Sequence, residues 1–140
     1  MVSAKCRGHG LSDVLLLTLG VLACLQLKHY AADYLLQTPW IIAGKGHLDH
    51  PGGYVHAGIH AVLSVPALLL AGLELPKVAA LVAAEFVVHF LIDHSKALVS
   101  RGSEKGPTTA AYWALHGGDQ CIHHLSYLVM TAAAIGWAAA

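Results

Sequence analysis

The sequence predicts an all-α integral membrane protein, a four-helix bundle that gathers its polar residues at one membrane face. Three observations carry this. Hydrophobic residues make up 56% of the 140 and charged residues only 11%, and the mean hydropathy is +0.61, too apolar for an ordinary water-soluble domain. Apolar runs fall near residues 11–36, 54–73, 77–98 and 118–138, each close to the roughly 20 residues that cross about 30 Å of hydrocarbon. Histidines and aspartates sit at alternating ends of these runs, so antiparallel packing brings them to one side.

Residues 1–140 therefore read as one four-span domain. The first run follows Lys5 and Arg7. Val21-Leu22-Ala23-Cys24 is similar to a lipoprotein cleavage box, but cleavage there would discard a span, so the run is read as an uncleaved anchor helix. Lys28, near its end, is expected to snorkel to the headgroups. Pro39, Gly44/Gly46 and Gly52/Gly53 mark the first loop, in which His47-Leu48-Asp49-His50 is read as a solvated segment. Leu75-Pro76 divides the second run from the third, which Glu85 interrupts, and residues 102–107 divide the third from the fourth. Sustained alternation is missing from these runs, so a closed barrel is not expected.

Several function classes drop out at once. Net charge is zero with histidine neutral, and the eight Lys and Arg residues are dispersed, which is unlike a nucleic-acid binder. Cys6, Cys24 and Cys121 are far apart, with no C-x-x-C pair, which argues against a disulfide framework or a thiolate metal site.

The polar residues inside the runs form pairs spaced i,i+4: His29 and Asp33, His56 and His60, His89 and Asp93, Asp119 and His123. That spacing puts both members on one helix face. The deepest are expected roughly 10 Å or less below the interface. Tyr30, Tyr34, Trp40, Tyr54, Tyr112 and Trp113 belong to the same end as interfacial anchors, with Trp137 opposite. Lys45, Lys96, Arg101 and Lys105 lie on the site side against Lys5, Arg7 and Lys77, which leans towards a cytoplasmic site. An echo at about 60 residues relates His29, Asp33 and His60 to His89, Asp93 and His123, the pattern of a duplicated helix pair.

Ionisable side chains are costly in a bilayer and mark sites by default. His29, Asp33, His56, His60, His89, Asp93, Asp119 and His123 are the candidate metal ligands. A mixed imidazole and carboxylate set suits a divalent metal, zinc first, with iron or manganese as alternatives. Gln37 and Gln120 are expected to hold Asp33 and Asp119 by hydrogen bonds. Glu85 is a candidate proton carrier or general base, Asp93 a candidate catalytic carboxylate, and Lys96 a group that neutralises Asp93 or meets a substrate phosphate. His94, His116 and His124 are read as interfacial polar residues. For any single pair, a hydrogen-bonded clamp between helices is the simpler account; four pairs at one level favour a site.

The stretches HYAADYLLQTPW with the following Lys45, HAGIHAVL, HFLIDHSK and DQCIHHLS resemble the small bacterial membrane proteins of domain-of-unknown-function family 3307. The resemblance spans residues 15 to 135 approximately and points to His29, Asp33, Gln37, His60, His89, Asp93, Lys96, Asp119, Gln120 and His123. It implies a bacterial inner-membrane location and no established activity. A looser similarity to inner-membrane proteins described as metal-dependent hydrolases rests on fold alone.

The expected function is a metal-dependent hydrolase acting at the interface on a lipid phosphate or another amphipathic ester, with membrane lipid as its partner. Lys45, Lys96, Arg101 and Lys105 would attract an anionic headgroup. The alternatives are a di-iron oxygenase or hydroxylase, suggested by His56-x-x-x-His60 and His123-His124; a metal, proton or haem carrier; and a structural subunit. Four spans make a thin bundle, so a homo-oligomer or a larger membrane complex is compatible with it.

Overall fold

The computed structural model describes residues 10–101 and 106–139. Lys5, Cys6, Arg7, His9 and Lys105 lie outside the described residues. Five helices and no strand occur among the described residues: α1 (Leu11–Tyr30), α2 (Pro39–Gly44), α3 (Gly52–Leu70), α4 (Leu75–Ser100) and α5 (Ala110–Ala139). All but α2 are long and apolar enough to cross a membrane.

Helix α1 does not stop at Tyr30. It runs on into a π-helical turn, Ala31–Leu35, closed by the Leu36 N–H donating to the Ala31 carbonyl at 3.0 Å. The first span is thus Leu11–Leu35. After it, Thr38 caps the short α2, accepting from the Ile41 N–H at 3.4 Å, with Pro39 at the start where its missing N–H does no harm.

The α2–α3 loop folds tightly back on itself. A Cβ on Gly44 would lie 2.8 Å from the Gly52 Cα, and one on Gly52 would lie 2.9 Å from the Trp40 carbonyl; only glycine allows this approach. The same loop leaves His47, Leu48 and Asp49 exposed, while His50 Nδ1 accepts from the Gly52 N–H at 3.0 Å. It behaves as the turn-forming segment the sequence suggested. It is strapped to the end of α4: Arg101 donates to the Gly46 carbonyl, and His94 Nδ1 lies 3.1 Å from the Lys45 carbonyl.

The fourth span departs most from expectation. Helix α5 begins at Ala110, eight residues before the expected 118, because Thr109 Oγ1 accepts from the Tyr112 N–H at 3.2 Å and the helix runs on through Gly117-Gly118. Asp119 and His123 are therefore well inside α5, not at its start. Helices α4 and α5 overshoot the polar layer by roughly 10 Å, whereas α1 ends and α3 begins close to it.

Below the polar layer the core is apolar, built from Val21, Leu25, Leu68, Leu81, Met130 and their neighbours. The outer faces are apolar too: Leu16 is 68% and Val129 70% exposed, as expected of surfaces that meet lipid. Tyr127, 1% exposed, stands at the boundary, with its ring in the apolar core.

Candidate metal centre

Six side chains from all four spans converge. The π-helical turn carries Asp33, α3 carries His56 and His60 on one face, α4 carries His89 and Asp93, and α5 carries His123. Their ligand atoms form two overlapping groups, Asp33/His56/His60/His89 and His89/Asp93/His123, with all ligand atoms of a group within 4.8 Å of one another. His89 belongs to both.

Asp33 Oδ1 is 3.1 Å from both His56 Nε2 and His60 Nε2. Asp93 Oδ2 is 3.3 Å from His56 Nε2 and 3.4 Å from His89 Nε2, and Asp93 Oδ1 is 4.0 Å from His123 Nε2. The two carboxylates therefore flank a block of four imidazoles. The His29–Asp33 and His89–Asp93 contacts are nearly equal, 3.3 and 3.4 Å, the correspondence that the internal echo in the sequence suggested.

Despite these approaches, both ring nitrogens of His56 and His89, and Nε2 of His123, are buried without a hydrogen-bond partner among the described residues. Buried polar atoms are normally satisfied. A cation among them would take the one lone pair that each neutral imidazole offers, and the imidazole and carboxylate ligands fit zinc, iron or manganese.

His29, expected as a ligand, is committed elsewhere. We assign the Tyr127 hydroxyl as donor to its Nδ1, 3.1 Å away, and its Nε2–H as donor to Gln120 Oε1 at 2.9 Å. Gln120 Nε2 then donates to Asp33 Oδ2 at 3.2 Å and Asp119 Oδ2 at 3.3 Å. Neither ligand group includes His29; it orients the carboxylate beside it.

Asp119 is also placed apart from the two groups. Lys96 Nζ bonds its Oδ2 at 2.7 Å, and its Oδ1 is buried with no hydrogen bond. Lys96 thus does not neutralise Asp93. That falls to Lys45, whose Nζ is 2.8 Å from Asp93 Oδ2, because the α2–α3 loop crosses the end of α4 while Lys96 faces α5. Gln37 does not hold Asp33: the helix ends at Leu36, so four-residue spacing no longer implies a shared face, and Gln37 Oε1 is buried without a partner.

Lys28 is the largest departure from the sequence reading. It does not snorkel; it is 7% exposed. Its ammonium pairs with Glu85 and donates to the Tyr127 hydroxyl at 3.0 Å and the His60 carbonyl at 3.3 Å. His60 Nδ1 lies 3.3 Å from both Lys28 Nζ and Tyr127 Oη. Glu85, the candidate base, is thereby tied into a buried charged floor beneath the imidazoles, with its Oε2 unpartnered. Lys28 and Tyr127 escaped the sequence reading because a lysine near a helix end and an aromatic in an apolar run both have ordinary explanations. The usable signal was Glu85, a buried carboxylate needing a cation.

His116 and His124 stay at the edge of the site. Lys96 Nζ is 3.5 Å from His116 Nδ1, and the exposed His124 ring is 5.2 Å from that of His29.

The family model described as a protein of unknown function, DUF3307, matches residues 21–140. The chain belongs to this family. The match takes in the whole cluster, from Lys28 to Tyr127. No curated protein and no solved structure matches the chain.

Proposed function

We propose that this chain is a membrane-embedded, metal-dependent hydrolase of the bacterial inner membrane, with its site on the cytoplasmic side, acting on an amphipathic phosphate or carboxylate ester. The observation that carries the reading is the pair of ligand groups sharing His89, with imidazole nitrogens buried and unpartnered. A bound divalent ion, zinc first and iron or manganese as alternatives, would supply Lewis acidity and make hydroxide accessible at neutral pH.

The chain's own groups suit the remaining work. Hydrolysis adds one water across the ester bond, and the proton leaving that water needs an acceptor. Asp119 Oδ1, free of hydrogen bonds, suits this better than Glu85, which Lys28 holds. Lys96, its side chain 31% exposed, meets the substrate's anionic group. Lys45 offsets the charge of Asp93 and holds it in place.

Other readings draw less support. Neighbouring imidazoles of His56, His60, His89 and His123 have ring centres 3.7 to 5.1 Å apart, too close for a haem plane between them. Among the described residues, the core beneath Lys28 and Glu85 is mostly apolar, with Ser64 and Thr131 its buried polar side chains, which gives ions few stepping stones through the membrane. The imidazole-rich paired groups do suit a di-iron oxygenase, and the identity of the metal separates that reading from hydrolysis.

The test is metal content by mass spectrometry on protein purified in mild detergent, with His89→Ala and Asp93→Ala beside it, followed by turnover of a phosphatidic acid and a carboxylate ester. Zinc or manganese lost in the variants, with turnover lost as well, is the expected result. Iron with oxygen-dependent product would select the oxygenase. A metal-free wild type after reconstitution would end the metal-centre reading.

A further inference from the structure

The seam between α4 and α5 is open to the lipid along much of its length. At its upper part a groove of about 450 Å³ is lined by Leu91, Ile92, Val99, Ala114 and Ile122, with Lys96 and Asp119 its charged residues. Below it a second cavity of about 330 Å³ follows the same two helices between Leu81, Val88, Val129 and Met130 and reaches Glu85. From Val99 to Leu81 the seam covers about 27 Å of helix, long enough for an extended hydrocarbon chain.

The charged pair distinguishes this groove from ordinary lipid-facing surface. Asp119 has a side chain only 2% exposed, lines the groove and keeps Oδ1 without a hydrogen-bond partner. Lys96 spends one of its three donors on Asp119 Oδ2 and, being partly exposed, has capacity for an incoming anion. Asp119 is also the link to the candidate metal centre: its carbonyl is 3.0 Å from His123 Nδ1.

We propose that the α4–α5 seam is a lipid-chain site: one acyl chain of an anionic phospholipid lies in the groove, with its phosphate at Lys96 and its ester end beside Asp119. The lipid enters sideways from the bilayer. This rests on the hydrolase reading for what happens next, but not for binding itself.

Gly118 controls the groove. It lines the upper part, and a Cβ there would meet nothing within 4 Å, so a side chain can start from this position, and Gly118→Leu takes up groove space while improving helix propensity. Its neighbour Gly117 is equally unobstructed but faces a different groove, beside Gln26 and His124, and is a matched control.

The experiment uses the full chain in detergent micelles doped with a phosphatidic acid carrying a photoreactive diazirine on one acyl chain. Crosslinks are mapped by mass spectrometry in wild type, Gly118→Leu and Gly117→Leu, with the matching phosphatidylcholine as the zwitterionic probe. Expected are crosslinks concentrated on α4 and α5, stronger for phosphatidic acid, and reduced in Gly118→Leu alone. The reduction should reach about tenfold or more, the scale of one sterically altered apolar contact. Labelling spread evenly over all lipid-facing segments, or unchanged in Gly118→Leu, would overturn the proposal. Metal content is measured on the same samples: seam labelling on a metal-free protein would keep the lipid site while removing the hydrolase reading, and a metal-loaded protein with uniform labelling would do the reverse.

Discussion

The imidazoles of His60 and His89 lie with ring centres 3.7 Å apart and planes inclined by 30°, one from α3 and one from α4. This stack joins the two ligand groups, because His89 is common to both. His89→Ala is therefore expected to remove all bound metal, whereas His123→Ala, which touches one group, removes only part of it. Metal stoichiometry after desalting reads the difference; full occupancy in His89→Ala would refute the shared role.

The Lys28–Glu85 pair predicts a non-additive pair of substitutions. Lys28→Met strands a buried carboxylate and is expected to lower stability by about 3–5 kcal/mol. Adding Glu85→Gln removes the stranded charge and recovers most of the loss. Thermal unfolding in detergent of the two single variants and the double tests this, and simple additivity would count against a mutual pairing.

Tyr127→Phe keeps the ring that fills the top of the apolar core but deletes the hydroxyl between Lys28, His29 and His60. The fold is expected to survive, and metal affinity to fall about 10–100-fold, the usual effect of losing a group that orients ligands. A competitive chelator titration measures it.

Removing the Lys45 ammonium leaves Asp93 uncompensated. Lys45→Gln is accordingly expected to bind a divalent metal more tightly, by about tenfold for each 1.4 kcal/mol of relieved competition. The same titration checks the sign, and weaker binding would show that Lys45 acts mainly by holding the loop in place.

Much of this was legible in the sequence for a simple reason. Apolar length fixes the spans, and i,i+4 spacing fixes which side chains share a face, so His56 with His60 and His89 with Asp93 followed directly. Residues whose roles depend on a partner helix were not legible. Lys28 could be assigned to headgroups or to Glu85 with equal local logic, and only the packing of α1 against α3 and α5, which turns Lys28 inward towards Glu85 on α4, decides. Lys96 pairs with Asp119 and not with Asp93, and Lys45, read only as attracting a headgroup, takes Asp93, because the α2–α3 loop, held by the Gly44 and Gly52 contact, crosses a helix that sequence spacing does not relate to it. Asp119 was misplaced in depth because the fourth apolar run begins at 118, whereas α5 continues back to Ala110.

The widened turn at Ala31–Leu35 has a bearing on how related chains are compared. A π turn takes up one residue more than an α turn for the same advance, so everything after it is rotated by about 100° relative to an uninterrupted helix. Removing Ala31 or Ala32, ahead of Asp33 in this turn, would swing its carboxylate out of the cluster while every site residue remained in the sequence. Whether a relative retains this centre is thus a question of residue count between His29 and Asp33, and a one-residue gap there says more than any matching letter on either side.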